Sequence, residues 1–321
     1  MNLSSLKPWL QKPWLGPLVA LIATYALFVA LTPDTFARGI NLVTMARQTA
    51  VVGVTAVGMT LVMVHGGIDL SVGSSVALTT VVIARALESG LGPGAAALAG
   101  VAVAVAAGVI NGSLVNWLKI TPFIVTLGTM SVLRGAAKGI ADEQKVDADP
   151  QGLDAWMAVV PPERSFQLVP WGVWLLLLVA ALAAALVNYT KLGRHIVATG
   201  SNVLTARLCG VPVPRVTVIV YGLGGLACGL AGLLEFATLT VGDPTDSIGL
   251  ELEVIAAVVI GGGSLAGGQG SVVGTLLGAA LLTVIKTGST HVGLPNWVQE
   301  IATGVIIVVA MGVDRLRQRR Q

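Results

Sequence analysis

Long apolar runs recur along the whole chain, and this feature constrains the fold more than any other. The hydrocarbon core of a bilayer is about 30 Å thick, so a helix that crosses it needs about 20 mostly apolar residues. Charged residues make up only 11% of the 321 residues, whereas soluble domains carry roughly 25%. The sequence therefore excludes a soluble globular protein and predicts an all-α, polytopic transmembrane bundle of about ten spans.

Turn residues and charges divide the apolar runs into separate predicted spans, with boundaries good to a few residues. The spans are Trp14–Thr32, Gln48–His65, Leu70–Leu87, Gly94–Val115, Pro122–Lys138, Trp171–Tyr189, Val216–Leu239, Glu251–Gly262, Ser271–Lys286 and Trp297–Val313. We expect them to form a single transmembrane domain over residues 1–321. Their even number places both termini on the same side of the membrane.

Basic and acidic residues are distributed unequally between the predicted loops. Lys7 and Lys12 precede the first span, and Arg315, Arg317, Arg319 and Arg320 follow the last. The loop 190–215 carries Lys191, Arg194, Arg207 and Arg215 and no acidic residue, whereas the loop 139–170 carries Asp142, Glu143, Asp147, Asp149, Asp154 and Glu163. Because Lys and Arg concentrate in cytoplasmic loops, we expect the termini and loop 190–215 inside and loop 139–170 outside.

Two glycine-rich segments interrupt the apolar pattern: GGIDLSVGS (Gly66–Ser74) and GGGSLAGGQGS (Gly261–Ser271). Non-helical backbone at membrane depth must be buried in protein or line a wet cavity. The sequence therefore predicts helices broken by glycine here. From the second segment, Gly261, Gly262, Gly263 and Ser264 are candidates for the solute pathway or its gate.

Two carboxylates fall within apolar sequence, and an ionisable residue there marks a functional site by default. Asp69 either caps the third span or contacts the solute together with Ser71. Glu235, in the middle of the seventh span, either hydrogen-bonds to a neighbouring helix or forms a wall of the pathway. Hydroxyls and amides would suit a neutral polyol, and Thr126 and Thr129 lead these candidates, ahead of Ser131, Asn111 and Asn116.

The sequence carries no recognisable catalytic machinery. It contains no GxxxxGK[ST] phosphate loop, no HExxH pair and no nucleophile elbow. The three histidines lie on separate elements, and Cys209 and Cys228 are too far apart in sequence to suggest a metal site, so we read both cysteines as small apolar fillers. We therefore expect no enzyme activity, no metal and no cofactor in this chain, and energy supplied by a partner or a gradient.

The basic loop 190–215 contains a well-defined helix signal. Ser201 or Asn202 suits the N-cap, Val203–Cys209 can form two turns, and Gly210 suits the position after the C-cap. The prolines that follow forbid continuation. A plain connector needs no such definition, so we favour a docking element, although positive-inside topology alone explains the basic residues.

Four segments together resemble the permease subunits of ribose-type ABC importers, the bacterial monosaccharide branch. They are GGIDLSVGS (Gly66–Ser74), PFIVTLGTMSVLRG (Pro122–Gly135), LGRHIVATGSN…ARLCGV (Leu192–Val211) and ELEVIAAVVIGGGSLAGGQGSVVGTLLGA (Glu251–Ala279). The resemblance runs from about Phe36 to the C-terminus. Family members often read GGN where this chain has Gly200-Ser201-Asn202, and GGKG where it has Gly267-Gly268-Gln269-Gly270, which weakens any transfer of substrate identity.

The resemblance implies a ten-helix permease of the bacterial inner membrane that moves a monosaccharide inward by alternating access. The implied partners are a second permease, an ATPase with tandem nucleotide-binding domains that binds ATP and Mg, and a periplasmic sugar-binding protein; lipid surrounds the chain, and no nucleic acid is implied. The segment matching Gly200–Gly210 would be the coupling helix, with Gly200, Ser201, Asn202, Ala206, Arg207 and Gly210 as its candidate residues.

Two other functions remain open at this point. A gradient-driven secondary transporter would use Asp69 and Glu235 as coupling groups and would need no ATPase. An ABC permease for another small solute, such as branched-chain amino acids, would share most of the architecture.

Overall fold

A computed structural model describes residues 14–160, 167–302, 304–306 and 308, and most of them are helical. The helices are α1 (Leu15–Leu31), α2 (Gly39–Val64), α3 (Val72–Glu88), α4 (Pro93–Leu118), α5 (Pro122–Ile140), α6 (Trp171–Tyr189), α7 (Lys191–Ser201), α8 (Val203–Leu208), α9 (Val213–Leu239), α10 (Leu250–Ile260) and α11 (Val272–His291). Two short strands, β1 (Val146–Asp147) and β2 (Val241–Gly242), and a 3-10 turn (Leu153–Trp156) complete the described elements.

The predicted fold class is confirmed. Five of the described helices, α2, α4, α6, α9 and α11, are long and apolar enough to cross a membrane. Nine predicted spans coincide with α1 to α6 and α9 to α11. Residues 296–302 are helical at the start of the tenth predicted span, and most of its remainder lies outside the described residues, as do Lys7, Lys12, Glu163 and the four C-terminal arginines.

Two helices extend well beyond one of their predicted ends, by more than the few residues seen elsewhere. The helix α2 begins at Gly39 and not at Gln48, because the polar Asn41 satisfies its amide within the fold by donating to the Phe36 carbonyl at 2.7 Å. The helix α11 runs to His291 and not to Lys286, since the Thr290 hydroxyl donates to the carbonyl four residues earlier at 3.0 Å. Polar side chains that find partners in this way do not end a helix.

Helices α4 and α9 cross at close range through small residues. The predicted spacing of Gly225 and Gly229 faces α4: a Cβ added to Gly229 would lie 2.8 Å from the Val101 Cα, and one added to Gly225 would meet the Ala104 carbonyl. Small residues allow such close backbone approach between membrane helices. In the same way Gly274 and Gly278 of α11 lie against Gly261 and Ala257 at the end of α10.

The helices α2 and α10 stop at a glycine with a positive φ angle. Gly66 has φ 94° and Gly262 has φ 89°. At the end of α2, the Gly66 amide donates to the Met63 carbonyl and the Gly67 amide donates to the Val62 carbonyl, both at 2.9 Å. This is the Schellman arrangement, which pairs the last carbonyls of a helix. The predicted glycine breaks are thus helix ends whose backbone groups are satisfied by protein.

The acidic segment between α5 and α6 is fixed to the connection between α9 and α10. Strands β1 and β2 pair antiparallel, with Val146 opposite Gly242. Beside them, the Lys145 ammonium lies 3.1 Å from the Asp243 carboxylate. Burial raises the pKa of Asp243, but hydrogen bonds from Thr245 and the charge of Lys145 lower it more, so this pKa lies below its ordinary value. The contact is therefore an ion pair that favours the charged carboxylate.

The crossing of α4 and α9 yields a stability prediction. Gly225→Ala should lower the free energy of unfolding by about 1–3 kcal/mol, because the added methyl forces the helices apart. Gly94→Ala on α4, where a Cβ meets nothing within 4 Å, is the matched control and should be neutral or stabilising by up to about 1 kcal/mol. Thermal unfolding of the purified chain in detergent measures both. A Gly225→Ala midpoint at or above the wild-type value would contradict the assigned crossing.

Candidate functional site

The two ends of the bundle differ in how their charges are paired. We call the end with loop 190–215 the basic end and the end with residues 141–160 the acidic end. The described ion pairs lie in the acidic half: Arg85–Glu88, Arg85–Asp142, Lys145–Asp243 and Lys286–Glu253. At the basic end, Lys119, Lys191, Arg194, Arg207 and Arg215 form no ion pair with any described residue. The basic end therefore presents uncompensated positive charge.

The short helix predicted in the basic loop is confirmed as α8. The Asn202 side-chain oxygen accepts from the Thr205 amide at 2.9 Å, so Asn202 is the N-cap and Ser201 instead ends α7. Gly210 has φ 82°, and its amide donates to the Arg207 carbonyl at 3.0 Å. Both ends of α8 are thus closed by local hydrogen bonds.

The preceding helix α7 was missed by the sequence analysis. Its signal is Thr190, whose hydroxyl oxygen caps the helix by accepting from the Gly193 amide at 3.0 Å. Two glycines and three basic side chains mask the helical pattern. As a result α7 leads directly into the cap of α8.

Helix α8 exposes apolar side chains at the basic end. Leu204 is 71% exposed and Leu208 is 89% exposed, whereas Ala206 is buried against the bundle. Residues four apart lie on the same helix face, so the two leucines form one apolar patch with the exposed Arg207 beside it. The sequence analysis named Arg207 but not the leucines, although their spacing in a loop was a readable signal. This face has the composition of an interaction surface.

The two glycine-rich segments and α7 meet at one place, which we call the glycine junction (Gly66, Gly200, Gly267 and Gly268). The Gly268 amide donates to the Val64 carbonyl at 2.9 Å. Gly200 lies beside this bond: a Cβ there would collide with the Val64 carbonyl and lie 2.6 Å from the Gly268 nitrogen. A Cβ on Gly267 would lie 2.8 Å from the Gly66 Cα. Movement of α7 and α8 therefore bears directly on both segments.

Asp69 belongs to a buried hydrogen-bond network next to this junction. Its Oδ1 accepts from the Ser71 amide at 2.8 Å and from the Ser71 hydroxyl at 2.6 Å, immediately before α3. Asn111 of α4 donates to the same hydroxyl at 2.9 Å. All three side chains are buried. The carboxylate thus closes a local turn just before α3, whose N-cap residue is Ser71, and no side chain caps the first amides of that helix.

The predicted hydroxyl candidates are engaged with protein groups. Thr126 is fully buried, and its hydroxyl donates to the Ile68 carbonyl at 3.1 Å, which ties α5 to the first glycine-rich segment. The Thr129 hydroxyl donates to the Thr126 carbonyl at 3.3 Å. The Ser264 amide donates to the Gln269 carbonyl at 3.0 Å, and Gly261 lies against Gly274, so the second segment is closed by its own backbone and α11.

Glu235 lies elsewhere, in the wall of a cavity of about 460 Å³ in the acidic half. We call it the polar cavity. It lies between α2, α9, α10 and α11, and its lining residues are Thr44, Arg47, Gln48, Val51, Val52, Glu235, Thr238, Asp246, Ser247, Ile248, Leu250, Glu253, Leu282, Thr283 and Lys286. Asp69 is not among them, so the structure does not bring the two predicted carboxylates together.

Comparison with known proteins identifies the chain's relatives. Residues 41–311 match the family described as the branched-chain amino acid transport system / permease component. The chain belongs to this family of permease components. It is therefore a multi-pass membrane protein.

Named relatives cover almost the whole permease. This chain is 38% identical to the ribose import permease protein RbsC of Escherichia coli K12, over 97% of its own length and 96% of the relative's. The ribose import permease protein RbsC of Bacillus subtilis 168 is 35% identical over 94% and 92%. The autoinducer 2 import system permease protein LsrC of Yersinia pseudotuberculosis is 33% identical over 94% and 84%. No solved structure matches the permease.

The glycine junction leads to a second prediction. Gly200→Ala should lower the free energy of unfolding by about 1–3 kcal/mol, because its methyl displaces the bond between Gly268 and Val64. Leu208→Ala, at an exposed position only eight residues away, should change it by less than about 0.5 kcal/mol. Thermal unfolding in detergent compares the two. Equal midpoints would show that the junction tolerates a side chain.

A third prediction separates the two interpretations of Asp69. Asp69→Asn keeps the oxygen that accepts from Ser71, so it should retain stability to within about 1 kcal/mol. Asp69→Ala leaves the buried Ser71 amide unpaired and should cost about 1–3 kcal/mol. Both variants are measured by thermal unfolding and by solute uptake. Loss of uptake in a stable Asp69→Asn variant would assign the carboxyl a role beyond capping.

Proposed function

We propose that this permease is the membrane-spanning subunit of an ATP-driven importer for a monosaccharide. Helix α8 carries the proposal. It is preformed, capped at both ends, exposes two leucines and Arg207, and leads through α7 to the glycine junction. Two relatives named for ribose import at 38% and 35% identity support the solute class.

The partners follow from this assignment. A tandem ATPase that binds ATP and Mg docks on α8 at the basic end, and this chain hydrolyses no ATP and holds no cofactor. A second permease, identical or closely related, completes the pathway, and a periplasmic sugar-binding protein docks at the acidic end. Exposed apolar side chains such as Leu98 of α4 and Leu182 of α6 contact lipid.

The orientation is part of the proposal. The basic end, with its uncompensated charge, and both termini lie in the cytoplasm of a bacterial inner membrane in this proposal, as the positive-inside rule supports. Residues 139–170 are then external and 190–215 form the coupling loop. The whole chain, residues 1–321, is one transmembrane permease domain.

Alternating access gives the contacts of the glycine junction a role. When the ATPase closes, it displaces α8 and α7, and Gly200 pushes on Val64 and on the segment that begins at Gly66. That segment is tied to α5 through Thr126 and to α4 through Asn111. A shift at α8 is therefore passed to helices on both sides of the bundle through packed backbone, which deforms little.

The two alternatives have less support. A proton-coupled carrier would gain from Asp69 and Glu235 acting together, but one lies at the start of α3 and the other lines the polar cavity. The matched family description names branched-chain amino acids, whereas relatives at 38% and 35% identity are named for ribose import. A panel of labelled monosaccharides and amino acids separates these solutes.

Co-purification tests the docking role of α8. Tagged permease is extracted from its native membranes in mild detergent, and co-purifying proteins are identified by mass spectrometry. Wild type should recover an ATPase, and Arg207→Glu should reduce that recovery by at least about fivefold, because a reversed charge opposes the partner's surface. Lys191→Glu makes the same charge change in the same loop away from α8 and should recover it normally.

Either of two results would count against the proposal. Reproducible absence of any ATPase from the wild type would favour a gradient-driven carrier. Equal recovery by Arg207→Glu and wild type would place the docking site away from α8.

A further inference from the structure

We infer that the polar cavity is a binding site for the sugar in transit within a single permease subunit. Arg47 on α2 and Glu235 on α9 are its principal ligand-binding groups. The inference rests on the proposed function and deepens it, because it assigns the solute to residues that lie away from the glycine junction and the buried hydroxyls.

Arg47 is the strongest sign of a missing ligand. It lies within a transmembrane helix, and its Nε is buried without a hydrogen-bond partner among the described residues. Arginine within a membrane span is costly and is retained where it pairs or faces a water-filled cavity. The guanidinium carries five N–H donors and no acceptor. The buried Nε–H therefore lacks an acceptor among the described residues, and a solute oxygen could serve as one.

Glu235 provides the complementary acceptor group. It lies in α9 and lines the same cavity, and no hydrogen bond or ion pair joins it to another residue in the described part of the chain. An ionised carboxylate is an acceptor only. A ligand that reaches both residues must therefore accept from Arg47 and donate to Glu235.

The other polar residues that line the cavity have unused hydrogen-bond donors and acceptors. The Lys286 ammonium lies 3.1 Å from the Glu253 carboxylate, which leaves further donors on the lysine and further acceptor sites on the glutamate. The Gln48 side-chain oxygen accepts from the Thr287 hydroxyl at 3.1 Å, and its amide group remains available to donate. Each of the four helices thus contributes at least one polar side chain.

These groups fit a neutral polyhydroxylated solute. Every sugar hydroxyl both donates and accepts, as Arg47 and Glu235 together require. The lining carries two cationic and three anionic side chains, so it does not demand a charged ligand. Its volume of about 460 Å³ is in the range of small-molecule sites.

Cysteine protection tests occupancy directly. Thr238→Cys, which lines the cavity one turn from Glu235 and leaves both principal ligand-binding groups in place, is made in a permease with Cys209→Ala and Cys228→Ala. This permease is assembled with its partners in nanodiscs and labelled with a charged methanethiosulfonate. D-ribose should slow the labelling by at least about threefold, as expected when a bound solute covers the thiol, and L-leucine should not. Gln144→Cys, on the exposed connection between α5 and β1, should label at the same rate with and without D-ribose.

Transport by the complete importer in proteoliposomes provides the second test. Glu235→Gln and Arg47→Gln should each reduce D-ribose transport, as kcat/KM, by about tenfold or more, since each removes a charge-assisted hydrogen bond to the solute. Stimulation of the ATPase by loaded binding protein should stay within about twofold of wild type, because docking surfaces are untouched. Glu143→Gln, an equivalent change on the exposed acidic segment, is the matched control.

The outcomes separate this inference from the proposed function. ATP-dependent D-ribose uptake by the wild type, with normal uptake in both cavity variants and no protection of Thr238→Cys, would overturn the cavity site and leave the importer assignment intact. Protection by L-leucine and not by D-ribose, with L-leucine uptake by the wild type, would overturn both the sugar class and the cavity ligand. Protection by D-ribose together with impaired uptake in both variants would support the site.

Discussion

The architecture depends on how backbone groups are satisfied where helices break inside the membrane. Hydrocarbon offers no hydrogen bonds, so an interrupted helix needs partners from the protein. Here the two glycines that follow α2, and the two that follow α10 after Gly261, donate their amides to carbonyls in the last turn of the same helix. A further hydrogen bond joins the two broken helices, from the Gly268 amide to the Val64 carbonyl. Gly200 lies beside this bond, where no side chain fits. One constraint thereby joins both broken helices to the end of α7. Helix α7, which leads into the exposed helix α8, is therefore in backbone contact with both glycine-rich segments.

Charge and polarity are separated along the bundle. Near the basic end, buried polar groups such as Asp69, Ser71 and Thr126 are hydrogen-bonded within the fold and hold α3, α4 and α5 in place. In the acidic half, Arg47 and Glu235 line an open cavity, and neither forms a hydrogen bond or ion pair with another described residue. Polar residues that look alike in a hydropathy profile therefore differ in their ability to bind a solute. A polar group that is already hydrogen-bonded within the protein has few donors or acceptors free for a solute.

Local signals predicted the helices well, and long-range contacts explain the exceptions. The capping residue Asn202 and the terminal Gly210 located α8 because both act through neighbouring amides. The start of α2 and the end of α11 were misplaced because Asn41 and Thr290 appear to a hydropathy profile as breaks, although each finds a carbonyl partner inside the fold. Cys209 was expected to be a buried filler and is exposed, whereas Cys228 is buried as expected. Exposure of a small residue depends on what packs against it, which its own identity does not encode.

The sequence by itself determined the membrane location, the helical class, the glycine breaks and the short helix α8, because apolar length, capping residues and turn glycines are properties of short segments. Only the tertiary structure decided that Gly66, Gly200 and Gly268 meet. It also decided that Thr126 and Asn111 hydrogen-bond to the first glycine-rich segment. Finally, it decided that Arg47 and Glu235 line one cavity. These residues come from helices far apart in the chain. Their proximity follows from how small residues let the helices cross, and no local pattern records which helices will do so.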